Sequence, residues 1–249
     1  MTTTLPKKLK KEPLIDAIFE MRFDSVSPVL LILPGILFRE LGGEKTIEAL
    51  PIAQLPPEIR RADPNLKYSP LHRLDWGLFF VNIGDFSLSV SCKYPYPGWN
   101  AFKPAIIEVM RVLLESKLTK TIERYSLKYI DVIPFSDHRL SVSMVNLEVM
   151  IAGHKLEKEP FSIQVEIPKN GMKNIVQIVS SAKATLYTGV IKEGLVVDVD
   201  TVANQNGVSM NALFDRFPDL LDAIHQTNKE VFFDCITKPT LNSLEPVYE

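Results

Sequence analysis

Between Ile15 and Phe23 the chain alternates without interruption: Ile15, Ala17, Phe19, Met21 and Phe23 occupy one parity, and Asp16, Glu20 and Arg22 the other. A period of two buries one face of a β-strand and wets the other, a pattern that a helix cannot satisfy. Phe161, Ile163, Val165 and Ile167 repeat it in the second half. Strands with one buried face belong to antiparallel sheets, because parallel sheets are covered on both sides.

Helical spacing separates these strands. Phe102, Ile106, Val109, Met110, Val112, Leu113 and Leu114 make an apolar stripe over residues 99–118, wide enough to cover a sheet. Near the C-terminus Met210, Leu213, Phe214 and Phe217 precede Leu220, Leu221, Ile224, Val231, Phe232, Cys235 and Ile236, and Pro218 divides a short helix from a long one. The predicted fold class is therefore α+β: an antiparallel β-sheet packed by an amphipathic central helix and a long C-terminal helix.

Ser27 and Pro28 mark an N-cap and first turn for a helix reaching about Glu40, kinked at Pro34 and ended by Gly42-Gly43. Pro51, Pro56, Pro57, Pro64 and Pro70 make residues 44–70 read as one long irregular connection. Strands are expected over residues 76–82 and 86–92, joined through Ile83-Gly84-Asp85, and again over 125–134. Further strands at 147–155, 174–182, 186–192 and 195–202 complete a meander. The resulting organisation is a flexible basic arm over residues 1–12, a β-α-β-β-α-β half over 13–134, and a meander plus C-terminal helices over 135–249, packed with the first half as one compact unit.

Charge and cysteine content narrow the function classes. Lysine and arginine number 28 against 30 acidic residues, which disfavours the broad basic surface of a nucleic-acid binder. Positive charge clusters only at Lys7, Lys8, Lys10 and Lys11, as a solvated tail or a tether for an acidic partner. Cys92 and Cys235 are too few and too separated for a disulfide framework or a zinc site, which fits a reducing compartment. The apolar run 29–38 is about half a membrane span, and Asp16 and Glu20 interrupt any secretory core after the lysines. The expected location is the cytoplasm, with no membrane association.

The phosphate-cradling, dinucleotide, nucleophile-elbow and paired-histidine signatures are absent, so no cofactor and no metal is expected. Candidate ligand-binding residues are scattered. Glu20 and Arg22 share the polar face of the first strand, and Arg124, Lys128 and Asp131 lie together in a later one. They read as cross-strand ion pairs or as an anion site led by Arg22 and Lys128. His225 and Asn228 sit one helical turn apart beside the apolar stripe, as packing residues or a proton-handling pair. Trp99 closes the aromatic turn segment 94–99, which either stacks a flat ligand or fixes the helix entry. Asp198 and Asp200 project from one strand face, as a solvated polar face or a weak cation pair. His72, His138 and His154 occur singly.

Several of these segments recur together in a known pattern. The N-terminal strand Pro13-Leu14-Ile15-Asp16-Ala17-Ile18-Phe19-Glu20-Met21-Arg22-Phe23 is one piece, and Tyr96-Pro97-Gly98-Trp99-Asn100-Ala101-Phe102 is a second. Arg124-Tyr125-Ser126-Leu127-Lys128-Tyr129-Ile130-Asp131 and His225-Gln226-Thr227-Asn228, leading to Phe232-Phe233 and Ile236-Thr237, complete it. Together they resemble a sporadically distributed, functionally uncharacterised family of bacterial proteins of about this length. Lys128 stands where that pattern has arginine, which weakens a required bidentate contact there. The resemblance implies no agreed activity and carries over no catalytic residue. Its patchy distribution resembles that of accessory genes in defence or toxin-antitoxin loci.

Two functions are consistent with this sequence. One is a binding or regulatory module presenting a groove or edge to a protein partner, with self-association through an exposed sheet edge as a further expectation. The other is a small-molecule or nucleotide-handling enzyme, hydrolase-like, using Glu20, Arg22, Lys128 and Asp131 with His225 nearby; it requires the two polar strand faces to open into one pocket.

Overall fold

The computed structural model describes residues 5–25, 27–135 and 137–248, with the side chain of residue 138 also outside the description. Its elements run in the order β1 (Lys8–Leu9), β2 (Leu14–Ser25), α1 (Val29–Glu40), β3 (Lys45–Ala49), α2 (Pro57–Ala62), β4 (His72–Trp76), β5 (Phe79–Ile83) and β6 (Ser87–Cys92). There follow α3 (Trp99–Ser116), β7 (Thr119–Ile133), β8 (Met150–Ile151), β9 (His154–Lys155), β10 (Ser162–Lys169), β11 (Met172–Thr185) and β12 (Ile191–Val208). The chain ends through α4 (Met210–Phe214), α5 (Phe217–Cys235), α6 (Lys238–Ser243) and β13 (Pro246–Val247). No helix among the described residues is long and apolar enough to cross a membrane.

The fold is α+β, with a large antiparallel sheet packed against helices. Nine strands are hydrogen-bonded in the order β10-β11-β12-β7-β2-β6-β5-β4-β3. By contact density the described chain forms two compact units. Unit one takes residues up to Asp16, Lys128–Thr201 and the chain from His225; unit two takes Ala17–Leu127 and Val202–Ile224. The division falls within strands and a helix instead of between two consecutive halves, because strands adjacent in space come from distant parts of the sequence.

Unit two shows why alternation matters. Phe19 pairs across β6 with Val90, Val90 with Val81 on β5, Val81 with Leu74 on β4, and Leu74 with Ile47 on β3, so one face is continuously apolar. Helices α1 and α3 cover it through Val29, Leu33 and Leu37 and through Phe102, Ile106, Val109 and Leu113. Phe19, Tyr125 and Phe217 pack ring against ring at centroid separations of 6.2, 5.8 and 6.5 Å. Burial pushes the Tyr125 hydroxyl up to about 12.

Unit one has its own core, in which Val176, Ile178, Leu195, Val197 and Val199 meet Val231, Phe232 and Ile236. Its β10–β11 hairpin closes on Asn170-Gly171, both at positive φ (52° and 73°), the pair that a two-residue turn of matching twist demands.

Several local expectations change. Pro28 stands at the α1 N-cap with no side-chain cap bond, so Ser27 does not fill that role. Residues 44–70 hold β3, a 3-10 turn and α2 instead of one irregular connection. β3 is a sheet edge with mostly exposed residues, so burial imposes no alternation on it. The expected 76–82 strand is β5, which begins only at Phe79; Trp76 ends a separate strand, β4, and the chain reverses at Gly77-Leu78, where Gly77 at φ 56° supplies the tight turn. Residues 186–192 belong mostly to the turn before β12, and 147–155 to the short β8–β9 hairpin. Residues 1–4 of the basic arm lie outside the description. Over Lys7–Lys11 the backbone is tied down: Lys7 donates to the Val247 carbonyl, Lys10 to Glu245 and Lys11 to Leu244. Lysine side chains leave the backbone free to pair, and their charge gives no sign of it.

Candidate functional site

The second face of the unit-two sheet is polar from strand to strand. Glu20 lies opposite Ser89, Ser89 opposite Asn82, Asn82 opposite Arg73 and Arg73 opposite Glu48, so one rung crosses β2, β6, β5, β4 and β3. Arg124 on β7 extends it, donating through Nη2 to Glu20 Oε1 at 3.2 Å. Arg73 Nε donates to Asn82 Oδ1 at 3.0 Å, and Asn82 Nδ2 reaches the hydroxyls of Ser89 and Ser91 at 3.4 Å each. Directly opposed residues on one face have neighbouring Cβ atoms, so these side chains form a connected floor.

Arg22 completes the group. Its Nε donates to Glu20 Oε1 at 2.6 Å, and its guanidinium lies 4.1 Å from the Tyr68 ring centroid. The Tyr68 hydroxyl donates to Glu123 Oε2 at 2.6 Å, while Lys67 Nζ donates to the Tyr68 oxygen at 2.8 Å. Farther along the face Phe80 lies between Arg73 and Lys93, at 5.0 and 4.9 Å. Cross-strand ion pairing is therefore present at Glu20, but two guanidiniums share one carboxylate oxygen.

The remaining expected residues have other surroundings. Lys128 Nζ pairs with Asp198 Oδ2 at 2.8 Å in unit one, so Arg124, not Lys128, joins Arg22. Strand alternation sends Asp131 to the face opposite Lys128. Asp131 is buried, and desolvation together with the like charges of Glu12 and Asp198 holds its carboxyl well above the usual range. Burial also raises Glu12 and lowers Lys229. The His225 ring meets Tyr129 edge-on at 6.0 Å. Asn228 is fully buried; its Nδ2 donates to the Val199 carbonyl at 2.8 Å and to Thr201 Oγ1 at 3.1 Å. Thr201 Oγ1 donates to Asn174 Oδ1 at 2.8 Å, and Asn174 Nδ2 to the Ile167 carbonyl at 3.1 Å. Asn228 therefore anchors α5 to the strands of unit one.

Trp99 sits at the start of α3, where its indole N–H donates to Asp222 Oδ1 at 3.2 Å and its ring meets Phe102 edge-on. Lys103 holds the other oxygen of Asp222 at 2.6 Å. These contacts fix the helix entry within unit two. Asn82, Ser89, Arg73 and Tyr68 were not singled out from the sequence, although the spacing of Ser87, Ser89 and Ser91 carries the signal: alternate serines opposite Glu20 and Arg22 mark a polar sheet face.

Each unit leaves some apolar surface open. Helix α1 is apolar on its outer side, with Leu31 80%, Ile32 42% and Phe38 46% exposed. In unit one a groove of about 210 Å³ lies among Ile163, Val165, Ile167, Val176, Ile178 and Val231. Val165 and Ile167, in the strictly alternating segment, remain 44% and 40% exposed because β10 ends the sheet. Comparison with models of known protein families and with curated protein sequences finds no match to this chain.

Proposed function

We propose that this chain is a binding or regulatory module that engages a protein partner through the outer face of α1. A helix that is apolar all round belongs inside a core, whereas one at a surface keeps charges on its wet side. Residues 29–38 contain no charged residue, yet only Val29, Leu33 and Leu37 are buried against unit two. Leu31 and Phe38 stand about one turn either side of Gly35 on the outer face, and Ile47 on the neighbouring edge strand β3 is 42% exposed. Large apolar side chains left exposed together on one helix face mark interaction sites. The observation that carries the reading is Leu31, an aliphatic side chain left almost wholly in water on an ordered helix. The family resemblance supplies the setting, an accessory role in a bacterial defence or toxin-antitoxin locus.

Burying Leu31 in an interface contributes about 1.5–3 kcal/mol, so Leu31→Arg weakens the complex by ~10-fold or more while leaving the thermal midpoint unchanged. Site-specific photocrosslinking from position 32 in cells identifies the partner, and sedimentation velocity of the purified chain distinguishes a second copy. A wild-type protein that stays monomeric and yields no adduct that Leu31→Arg removes would refute the proposal.

A further inference from the structure

We infer that the polar face of the unit-two sheet holds a site for a phosphoryl group between Arg22 and Arg124. The two guanidiniums converge on a single atom, Glu20 Oε1, at 2.6 and 3.2 Å, and the side chains of all three residues are about three-quarters buried or more. Two cations held against one carboxylate oxygen in a half-buried setting repel each other, and a second anion beside them offsets that repulsion. The carboxylate of Glu123 is already matched: it takes the Tyr68 hydroxyl at 2.6 Å and lies 3.8 Å from Lys67 Nζ.

Hydrogen-bond accounting points the same way. The Nε of Arg124 is shielded from solvent and meets no acceptor among the described residues. A buried N–H of this kind requires an acceptor, and a guanidinium donates in a planar fork suited to an oxyanion. Arg22 is held in place, its plane resting on Tyr68 at 4.1 Å and its Nε committed to Glu20. Its terminal nitrogens remain to donate. Across β6, Ser87 faces Arg22 and donates its hydroxyl to the Tyr68 carbonyl at 2.8 Å, while Ser89 faces Glu20. The Ser89 hydroxyl accepts from Asn82 and retains its own hydrogen. Donors from Arg22, Arg124 and Ser89 thus approach from three side chains. That arrangement suits the three terminal oxygens of a phosphoryl group better than the two of a carboxylate.

The site lies on the sheet face that α1 does not cover, so it stands or falls separately from the protein-partner reading. Isothermal titration calorimetry at constant ionic strength, with inorganic phosphate, adenosine monophosphate and acetate as probes, tests it. Wild type is expected to bind phosphate or the monophosphate saturably and acetate ~10-fold more weakly. Tighter binding of the monophosphate assigns a phosphomonoester ligand, and tighter binding of phosphate assigns the free anion. Arg124→Gln should lose ~10-fold or more in affinity, while the surface variant Lys173→Gln binds as wild type. Ser89→Asp, which puts a like charge at the site without touching either arginine, should abolish binding and serves if Arg124→Gln does not fold. No saturable binding of either phosphate probe, acetate binding of equal strength, or equal loss in Lys173→Gln overturns the assignment.

Discussion

Replacing Asn228 with alanine tests how α5 is held to the strands of unit one. The side chain is fully buried and donates two hydrogen bonds, at 2.8 Å to the Val199 carbonyl and 3.1 Å to Thr201 Oγ1. Each lost bond costs about 1 kcal/mol net, and the space left by the amide adds about 1 kcal/mol more. The expected loss is therefore about 3 kcal/mol. For a chain of this length that lowers the thermal midpoint by roughly 6–12 °C. Thermal unfolding followed by circular dichroism gives the shift, and urea unfolding gives the free energy. Because Thr201 passes the bond on to Asn174 at 2.8 Å, the effects of Asn228→Ala and Thr201→Val should not add. A double-mutant cycle is expected to show coupling of at least ~0.5 kcal/mol. A loss below ~1 kcal/mol for Asn228→Ala, or strict additivity with Thr201→Val, would show that the chain of amide and hydroxyl contacts does not act as a unit.

Asp131 makes stability depend on pH in a direction opposite to that of an ordinary surface carboxylate. Its folded value is raised by burial and by Glu12 and Asp198, so its contribution is full below the usual carboxylate range and is lost as pH rises through the raised value. Asp131→Asn should flatten that decline, with its advantage over wild type growing toward alkaline pH in urea titrations; a constant difference across pH would contradict the assignment. At Gly194 a methyl group would sit 2.2 Å from the Ile133 carbonyl oxygen and 2.7 Å from its carbon. Gly194→Ala should accordingly cost about 3 kcal/mol by forcing backbone apart, and a wild-type thermal midpoint would show that this part of unit one has slack.

Elements with a strong burial contrast were legible from the residues. The alternation from Ala17 to Phe23 reports β2, and the stripes around Ile106 and Ile224 report α3 and α5, because each buries one face against a core. Pro218 correctly separates α4 from α5. Elements without that contrast were not legible. Strand β3 is mostly exposed, β4 is too short to show a period, and β1 is two residues long with lysine at its exposed position. Conversely, Ile163, Val165 and Ile167 show a clear period and yet face an open groove, since periodicity specifies a face and not what covers it.

The candidate site divides along the same line. Glu20 and Arg22 were visible as neighbours on one strand face, because i and i+2 always share a face. Arg124, Ser89 and Asn82 joined them only through strand order and register, which local sequence does not encode. Lys128 could not be separated from Arg124 by reading along β7, since both occupy the same parity; its partner Asp198 lies seventy residues away in sequence. Local patterning thus determined where the chain becomes strand or helix and which faces seek a core. Tertiary pairing alone decided which charges meet and which apolar faces stay open, because those outcomes depend on contacts between segments far apart in the chain.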